Sequence, residues 1–330
     1  MLDSAASPAP VTLRHPIAEG LLSAGLAARD IVVVGDGPAR ADRPFAALGR
    51  SLRERFQAIT DIGLAPPKSQ ATPPQRRDLA ERAGGPALSY LSAGDPEGRR
   101  VLFIHGTPGQ AMDWAPFLET VPAGQLRLAV DRPGFGRSGP GAPVVALPDQ
   151  ARAIASLLEK GPGPAIVVGS SYGGPVALQL AADHPDIVSG VLLVGSAADP
   201  GREETHPVQR LVAKRTFRSL LPRPLAHSNA ELLALREELV DLGQRLGRIR
   251  APVTILQGLH DTLVPAENAV YLAGRLAREV RRRVILVERA GHFLHILRSS
   301  LVDEALAHLL DNPDRGADAK ATDRAIRRRS

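Results

Sequence analysis

Three side chains, in one order along the chain, are of the types that carry out nucleophilic catalysis: Ser171, Asp261 and His292. Ser171 is the central residue of Gly169-Ser170-Ser171-Tyr172-Gly173, a Gly-x-Ser-x-Gly pattern. A serine hydroxyl is a weak nucleophile near neutral pH and needs a base to take its proton during attack. Histidine suits that task, and it needs a carboxylate to fix its tautomer and stabilise the imidazolium. Asp261 stands in Gly258-Leu259-His260-Asp261-Thr262, and His292 in Ala290-Gly291-His292-Phe293. The expected chemistry is nucleophilic catalysis through a covalent intermediate on Ser171. Singly, each residue also fits a plain structural role, as a glycine-rich turn, a helix cap or a loop histidine. The order of all three is what points to catalysis.

That chemistry needs elements that bring the three together. Ile166-Val167-Val168 has strand character and ends abruptly in the glycine pattern. Behind it, Pro175-Val176-Ala177-Leu178-Gln179-Leu180-Ala181-Ala182 reads as a helix, with Pro175 in the first turn, where a missing N–H costs nothing. Strand, sharp turn and helix would hold Ser171 on a strained backbone that Gly169 and Gly173 make room for. Asp261 follows the apolar run Val253-Thr254-Ile255-Leu256-Gln257, and His292 follows Val284-Ile285-Leu286-Val287. All three therefore fall just past the carboxyl ends of strands, the edge where open α/β sheets place their sites. Further short runs at 101–104, 126–130 and 190–194 alternate with helical patterns at 150–160 and 301–310. The pattern predicts an α/β fold, a mostly parallel sheet with helices on both faces.

Composition removes several other function classes. The 330 residues are 44% hydrophobic, enough for a sizeable core, and the 3% aromatic content leaves packing to Ala, Leu and Val. The net charge of +6 comes almost entirely from arginines scattered among acids, without the interleaved aromatics of a base-stacking platform, so no nucleic-acid partner is expected. The absence of cysteine rules out disulfides and thiolate chemistry. No run approaches the ~20 apolar residues of a membrane span, and the first residues lack the marks of a secretory signal. A cytoplasmic location is the default expectation. Ile31-Val32-Val33-Val34-Gly35-Asp36-Gly37 reads as a strand and turn, but Arg40 stands where a dinucleotide fingerprint needs its third glycine. No cofactor is expected. The histidines show no ligand spacing, so no metal is expected either.

The chain resembles the α/β-hydrolase superfamily, in its serine-nucleophile, esterase- and lipase-like branch. The residues carrying the resemblance are His105-Gly106-Thr107-Pro108-Gly109, Asp131-Arg132-Pro133-Gly134-Phe135-Gly136-Arg137-Ser138, Gly169 to Gly174, Gly258 to Asp261 and Gly291-His292. It runs from about residue 87 to 310. The resemblance implies Ser171 as nucleophile, His292 as base and Asp261 as acid. It implies an oxyanion hole from the backbone N–H groups of Thr107 and Tyr172, donors already aimed where charge builds up. Some relatives carry the acid one strand earlier, which makes Asp199 the alternative to Asp261. His295 is the alternative base, whereas His105 is expected to hold the oxyanion loop, His260 to line a loop, and Asp131 to organise its glycine-rich turn.

The expected organisation has three parts: an N-terminal extension over 1–85, a hydrolase domain over 86–311, and a charged tail over 312–330. The extension would hold one amphipathic helix, with Phe45, Leu48, Leu52, Phe56 and Ile59 at helical spacing, and a Pro-rich linker over 65–74. Between 199 and 249 the strand–helix rhythm stops, and helices over 208–221 and 230–246, joined by Pro222-Arg223-Pro224, are expected to form a lid. The substrate is expected to be a small molecule, a small to medium apolar carboxylic ester. The expected pocket residues are Met112, Trp114, Phe217, Leu220, Leu221 and Phe293. Carbon–carbon bond hydrolysis and proline-iminopeptidase-like activity use the same triad, the latter because His105-Gly106-Thr107-Pro108-Gly109 is similar to the His-Gly-Gly-Pro-Gly of those peptidases. A ligand-binding member of the fold without turnover is the alternative from another class. The sequence carries no reading of the oligomeric state.

Overall fold

The computed structural model describes residues 15–35, 74–81, 85–159, 161–204, 209 and 221–312. Its centre is a nine-stranded sheet in the order β1-β9-β8-β7-β6-β4-β5-β3-β2. The strands are β1 (Ile31–Val34), β2 (Gln75–Leu79), β3 (Leu88–Gly94), β4 (Arg99–Ile104), β5 (Gln125–Val130), β6 (Ala165–Ser170), β7 (Val188–Val194), β8 (Val253–Gly258) and β9 (Arg282–Val287). β3 pairs antiparallel with β2 and β5, and every other pairing is parallel. This is the mostly parallel sheet the sequence predicts.

Central strands in such a sheet must be apolar on both sides because helices cover both faces. β6 is buried at all of its positions. Successive side chains alternate between faces, so Leu102 and Ile104 join one core cluster while Val101 and Phe103 join the other. The flanking helices are α1 (Pro16–Ser23), α2 (Ala115–Glu119), α3 (Leu147–Leu158), α4 (Gly173–Asp183), α5 (Arg223–Gly243), α6 (Glu267–Arg275), α7 (Leu294–Leu297) and α8 (Ser299–Asp311). α4 is buried from Gly173 through Ala182, which fits its central place between α3, α5 and the sheet.

Two outer strands come from the segment expected as a separate extension. β1 pairs in parallel with β9, Ile31 opposite Val284 and Val34 opposite Val287, and α1 packs on α6. β2 closes the far edge against β3, Gln75 opposite Ser92. The sheet therefore reaches into 1–85. The amphipathic pattern at 45–59 and the linker at 65–73 lie outside the described residues. Among the described residues, no helix is long and apolar enough to cross a membrane.

Candidate active site

β6 ends at Ser170 and α4 begins at Gly173, so Ser171 occupies the tightest point between them. Its φ is 52°, in the left-handed region that side chains with a Cβ avoid. Such a conformation costs about 1–3 kcal/mol and persists only where surroundings impose it. Here the backbone is held from both sides: Ser171 N donates to Val194 O at 3.1 Å, and Gly174 N donates to Ser171 O at 3.0 Å. The two pattern glycines are required by close approach. A Cβ on Gly169 would lie 2.3 Å from Gly173 O, and one on Gly173 would lie 2.3 Å from Ile104 O. The loop after β4 passes beside the serine, since a Cβ on Gly106 would sit 3.0 Å from Ser171 Cβ and 3.6 Å from its Oγ.

Asp261 and His292 meet across the ends of β8 and β9. His292 Nδ1 lies 2.8 Å from Asp261 Oδ2. The second carboxylate oxygen, Oδ1, accepts the backbone N–H groups of Leu263 at 2.9 Å and Val264 at 2.8 Å. Asp261 is buried, so its orientation is fixed by these bonds. The end of β7 runs against the pair: a Cβ on Gly195 would be 3.3 Å from Asp261 Oδ2 and 3.4 Å from His292 Nδ1. Because β7 also holds Ser171 through Val194 O, one strand end touches all three elements of the constellation. Asp199 instead accepts from Gly201 N at 2.8 Å, capping a short turn. His295 is buried against Trp114 at 5.1 Å between ring centroids.

The loop bearing Thr107 is held by a buried network. His105 Nε2 accepts from Arg132 N at 3.0 Å and its Nδ1 lies 2.7 Å from Gly106 O, the structural role expected of it. Asp131 organises its turn, with Oδ1 accepting Ala111 N at 2.7 Å and Oδ2 accepting Arg137 N at 3.1 Å and pairing with Arg76. Among the described residues no protein acceptor takes the backbone N–H of Thr107 or Tyr172. Burial pushes the Tyr172 phenol well up, with Glu231 adding and Arg132 opposing, and the hydroxyl donates to Val145 O at 3.2 Å. Two residues of this network, Arg132 and Glu231, were not singled out by sequence reasoning. The available signal was spacing: Glu231 lies on the same helical stripe as Leu235 and Leu239 and is buried with them.

The expected pocket residues divide. Trp114 is fully buried and tilted against Phe103 at 5.0 Å and Phe117 at 5.3 Å, so its ring belongs to the core and does not line an open pocket. Met112 is partly buried against that same cluster. Phe293 is partly buried, edge-on to the His292 ring at 5.3 Å. Leu221 is partly exposed just before α5, and Phe217 and Leu220 lie outside the described residues. α5 begins at Arg223, earlier than the expected 230, because Pro222-Arg223-Pro224 opens the helix: Pro222 is its N-cap and Pro224 falls in the first turn. The other expected lid helix, 208–221, falls almost entirely outside the described residues.

A model of the alpha/beta hydrolase family matches residues 101–305. The chain is 32% identical over 200 residues to the dihydrolipoyllysine-residue acetyltransferase component of the acetoin cleaving system of Cupriavidus necator, covering 51% of this chain and 54% of that protein. It thus spans about half the length of that relative. It is 26% identical over 273 residues to the esterase Rv0045c of Mycobacterium tuberculosis, covering 70% of this chain and 89% of that one. In three dimensions it resembles a thermophilic esterase from Thermogutta terrifontis, with a TM-score of 0.57 and 21% identity over 72% of this chain and 98% of that one, a likeness of fold.

Proposed function

The chain belongs to the alpha/beta hydrolase family, and from that premise we propose that it is a serine hydrolase cleaving small to medium apolar carboxylic esters through an acyl-enzyme on Ser171. Ser171 Oγ attacks the ester carbonyl carbon as His292 Nε2 takes its proton. The carbonyl oxygen, now negative, is met by the N–H groups of Thr107 and Tyr172. Collapse of the tetrahedral intermediate breaks the bond to the alcohol, which leaves with the proton from His292. Water then attacks the acyl-enzyme, giving up a proton to His292, and release of the acid returns the proton to Ser171. Throughout, Asp261 holds the Nδ1 hydrogen, so that Nε2 is the nitrogen free to act.

The observation that carries the reading is Asp261 Oδ2 at 2.8 Å from His292 Nδ1, against the end of the strand whose Val194 O holds the backbone of Ser171 at φ 52°. A carboxylate aimed at one imidazole nitrogen has a catalytic use only if the other nitrogen faces a nucleophile. The segment 199–249 serves as the lid, excluding water while the acyl-enzyme forms and limiting the bulk that enters. Turnover of p-nitrophenyl acetate and butyrate by wild type and Ser171→Ala tests the proposal. The variant is expected to lose nearly all turnover, on the order of 10⁶-fold. Equal rates would overturn it.

A further inference from the structure

Glu231 projects from α5 into the loop that bears Thr107 and is fully buried. Its Oε1 accepts from Arg132 Nη1 at 2.5 Å and from Gln150 Nε2 at 2.9 Å. Its Oε2 accepts from Arg132 Nη2 at 3.0 Å and from the Thr107 hydroxyl at 2.5 Å. Arg132 is likewise fully buried, and all of its side-chain N–H groups have acceptors: Nε donates to His105 O at 2.9 Å, Nη1 also to Gln150 Oε1 at 2.7 Å, and Nη2 also to Gly106 O at 3.0 Å. Its guanidinium lies 4.7 Å from the ring centroids of both Phe135 and Tyr172.

Gly106 C=O and Thr107 N–H belong to one peptide plane, and in a trans peptide they point in opposite directions. Fixing the carbonyl with Arg132 Nη2 therefore aims the Thr107 amide the other way. His105 Nδ1 lies 2.7 Å from the same carbonyl, and Glu231, by taking both outer nitrogens of the guanidinium, completes the set of bonds that keeps Arg132 Nη2 on it. The same carboxylate grips the Thr107 side chain. We propose that Glu231 is a positioning residue that ties α5 to the loop of the oxyanion hole, so that docking of this helix completes the aim of the Thr107 N–H. The proposal rests on the serine-hydrolase reading above.

The test compares Glu231→Gln, Thr107→Val and Thr107→Ser with wild type. Hydrolysis of p-nitrophenyl butyrate is measured per active site, with active sites counted by fluorophosphonate titration. The Ki of phenylboronic acid, whose tetrahedral adduct places a negative oxygen where the oxyanion forms, is measured alongside. Glu231→Gln is expected to lower kcat about 100-fold, the scale of losing one oxyanion donor, with KM within about twofold and Ki raised in proportion. Thr107→Val is expected to lose about tenfold in kcat, and Thr107→Ser, which restores the hydroxyl, to recover most of it. A merely structural ion pair would reduce the number of titratable sites and leave kcat per site and Ki at wild-type values, which overturns the proposal. If Glu231→Gln yields no folded protein, the Val and Ser pair decides: equal kcat per site in both overturns it. Failure of wild type to label would overturn the serine-hydrolase reading itself, a result distinct from labelled variants with unchanged kcat.

Discussion

Asp261 binds His292 with one oxygen and the chain with the other: Oδ2 lies 2.8 Å from Nδ1, while Oδ1 accepts the amides of Leu263 and Val264. The backbone bonds stop the carboxylate from turning, so the imidazole is held in one tautomer. Asp261→Asn keeps the shape but offers an NH₂ that can drive His292 into the wrong tautomer. Turnover of p-nitrophenyl butyrate is expected to fall ~10³–10⁴-fold with KM little changed. A loss below about tenfold, in a variant that still labels with fluorophosphonate, would pass the acid's role to another group.

Gly173→Ala tests the turn rather than the chemistry. Its Cβ would lie 2.3 Å from Ile104 O and 2.6 Å from His105 O, both backbone atoms that cannot swing aside. The expected cost is about 3 kcal/mol of stability, read from urea unfolding, with activity lost alongside. An unchanged urea midpoint would contradict the close approach of α4 and the loop after β4.

Much of this was legible in the sequence because short apolar runs followed by glycine, aspartate or histidine mark strand ends directly. The glycine pattern identified the turn at Ser171, and the run before His292 placed it at the same edge. β2 was not legible: Gln75-Arg76-Arg77-Asp78-Leu79 has the polar surface of an edge strand and no apolar alternation. β1 was visible as an apolar run, but its pairing with β9 depends on residues far away in the chain. Trp114 was misplaced because an aromatic next to the oxyanion loop looks the same in sequence whether it faces the pocket or the core. Glu231 was hidden because a glutamate in a polar helix is ordinarily solvated, and its burial is made tolerable by Arg132, with Gln150 and Thr107, which lie far from it in the chain.

Glu238 gives a stability prediction with a definite sign. It accepts Leu147 N at 2.8 Å at the start of α3, and burial pushes its carboxyl up, helped by Asp241, Asp149 and Glu237 and opposed by the Leu147 amide. A carboxyl that holds its proton more tightly when folded contributes most at low pH and loses that contribution as pH rises through the glutamate range. Glu238→Gln keeps an acceptor and has no such loss. The Tm difference, variant minus wild type, is expected to become more positive between about pH 4 and pH 7. A difference that does not change with pH would contradict the burial of this charge.

Leu221 stands just before α5 and, of the three pocket residues expected from the lid, is the one within the described chain. Leu221→Ala is expected to shift preference towards longer p-nitrophenyl esters by roughly tenfold, with the rate of fluorophosphonate labelling unchanged. A chain-length profile identical to wild type would remove this residue from the pocket.

The central claim is that Ser171 is an activated nucleophile. Wild-type protein treated with a fluorophosphonate at pH 7.5 and about equimolar ratio, then digested and sequenced by tandem mass spectrometry, reports on it directly. The account predicts one adduct per chain, on Ser171, formed within minutes and strongly slowed in His292→Ala. No adduct, an adduct on Ser170 or another serine, or equal labelling of His292→Ala would contradict it.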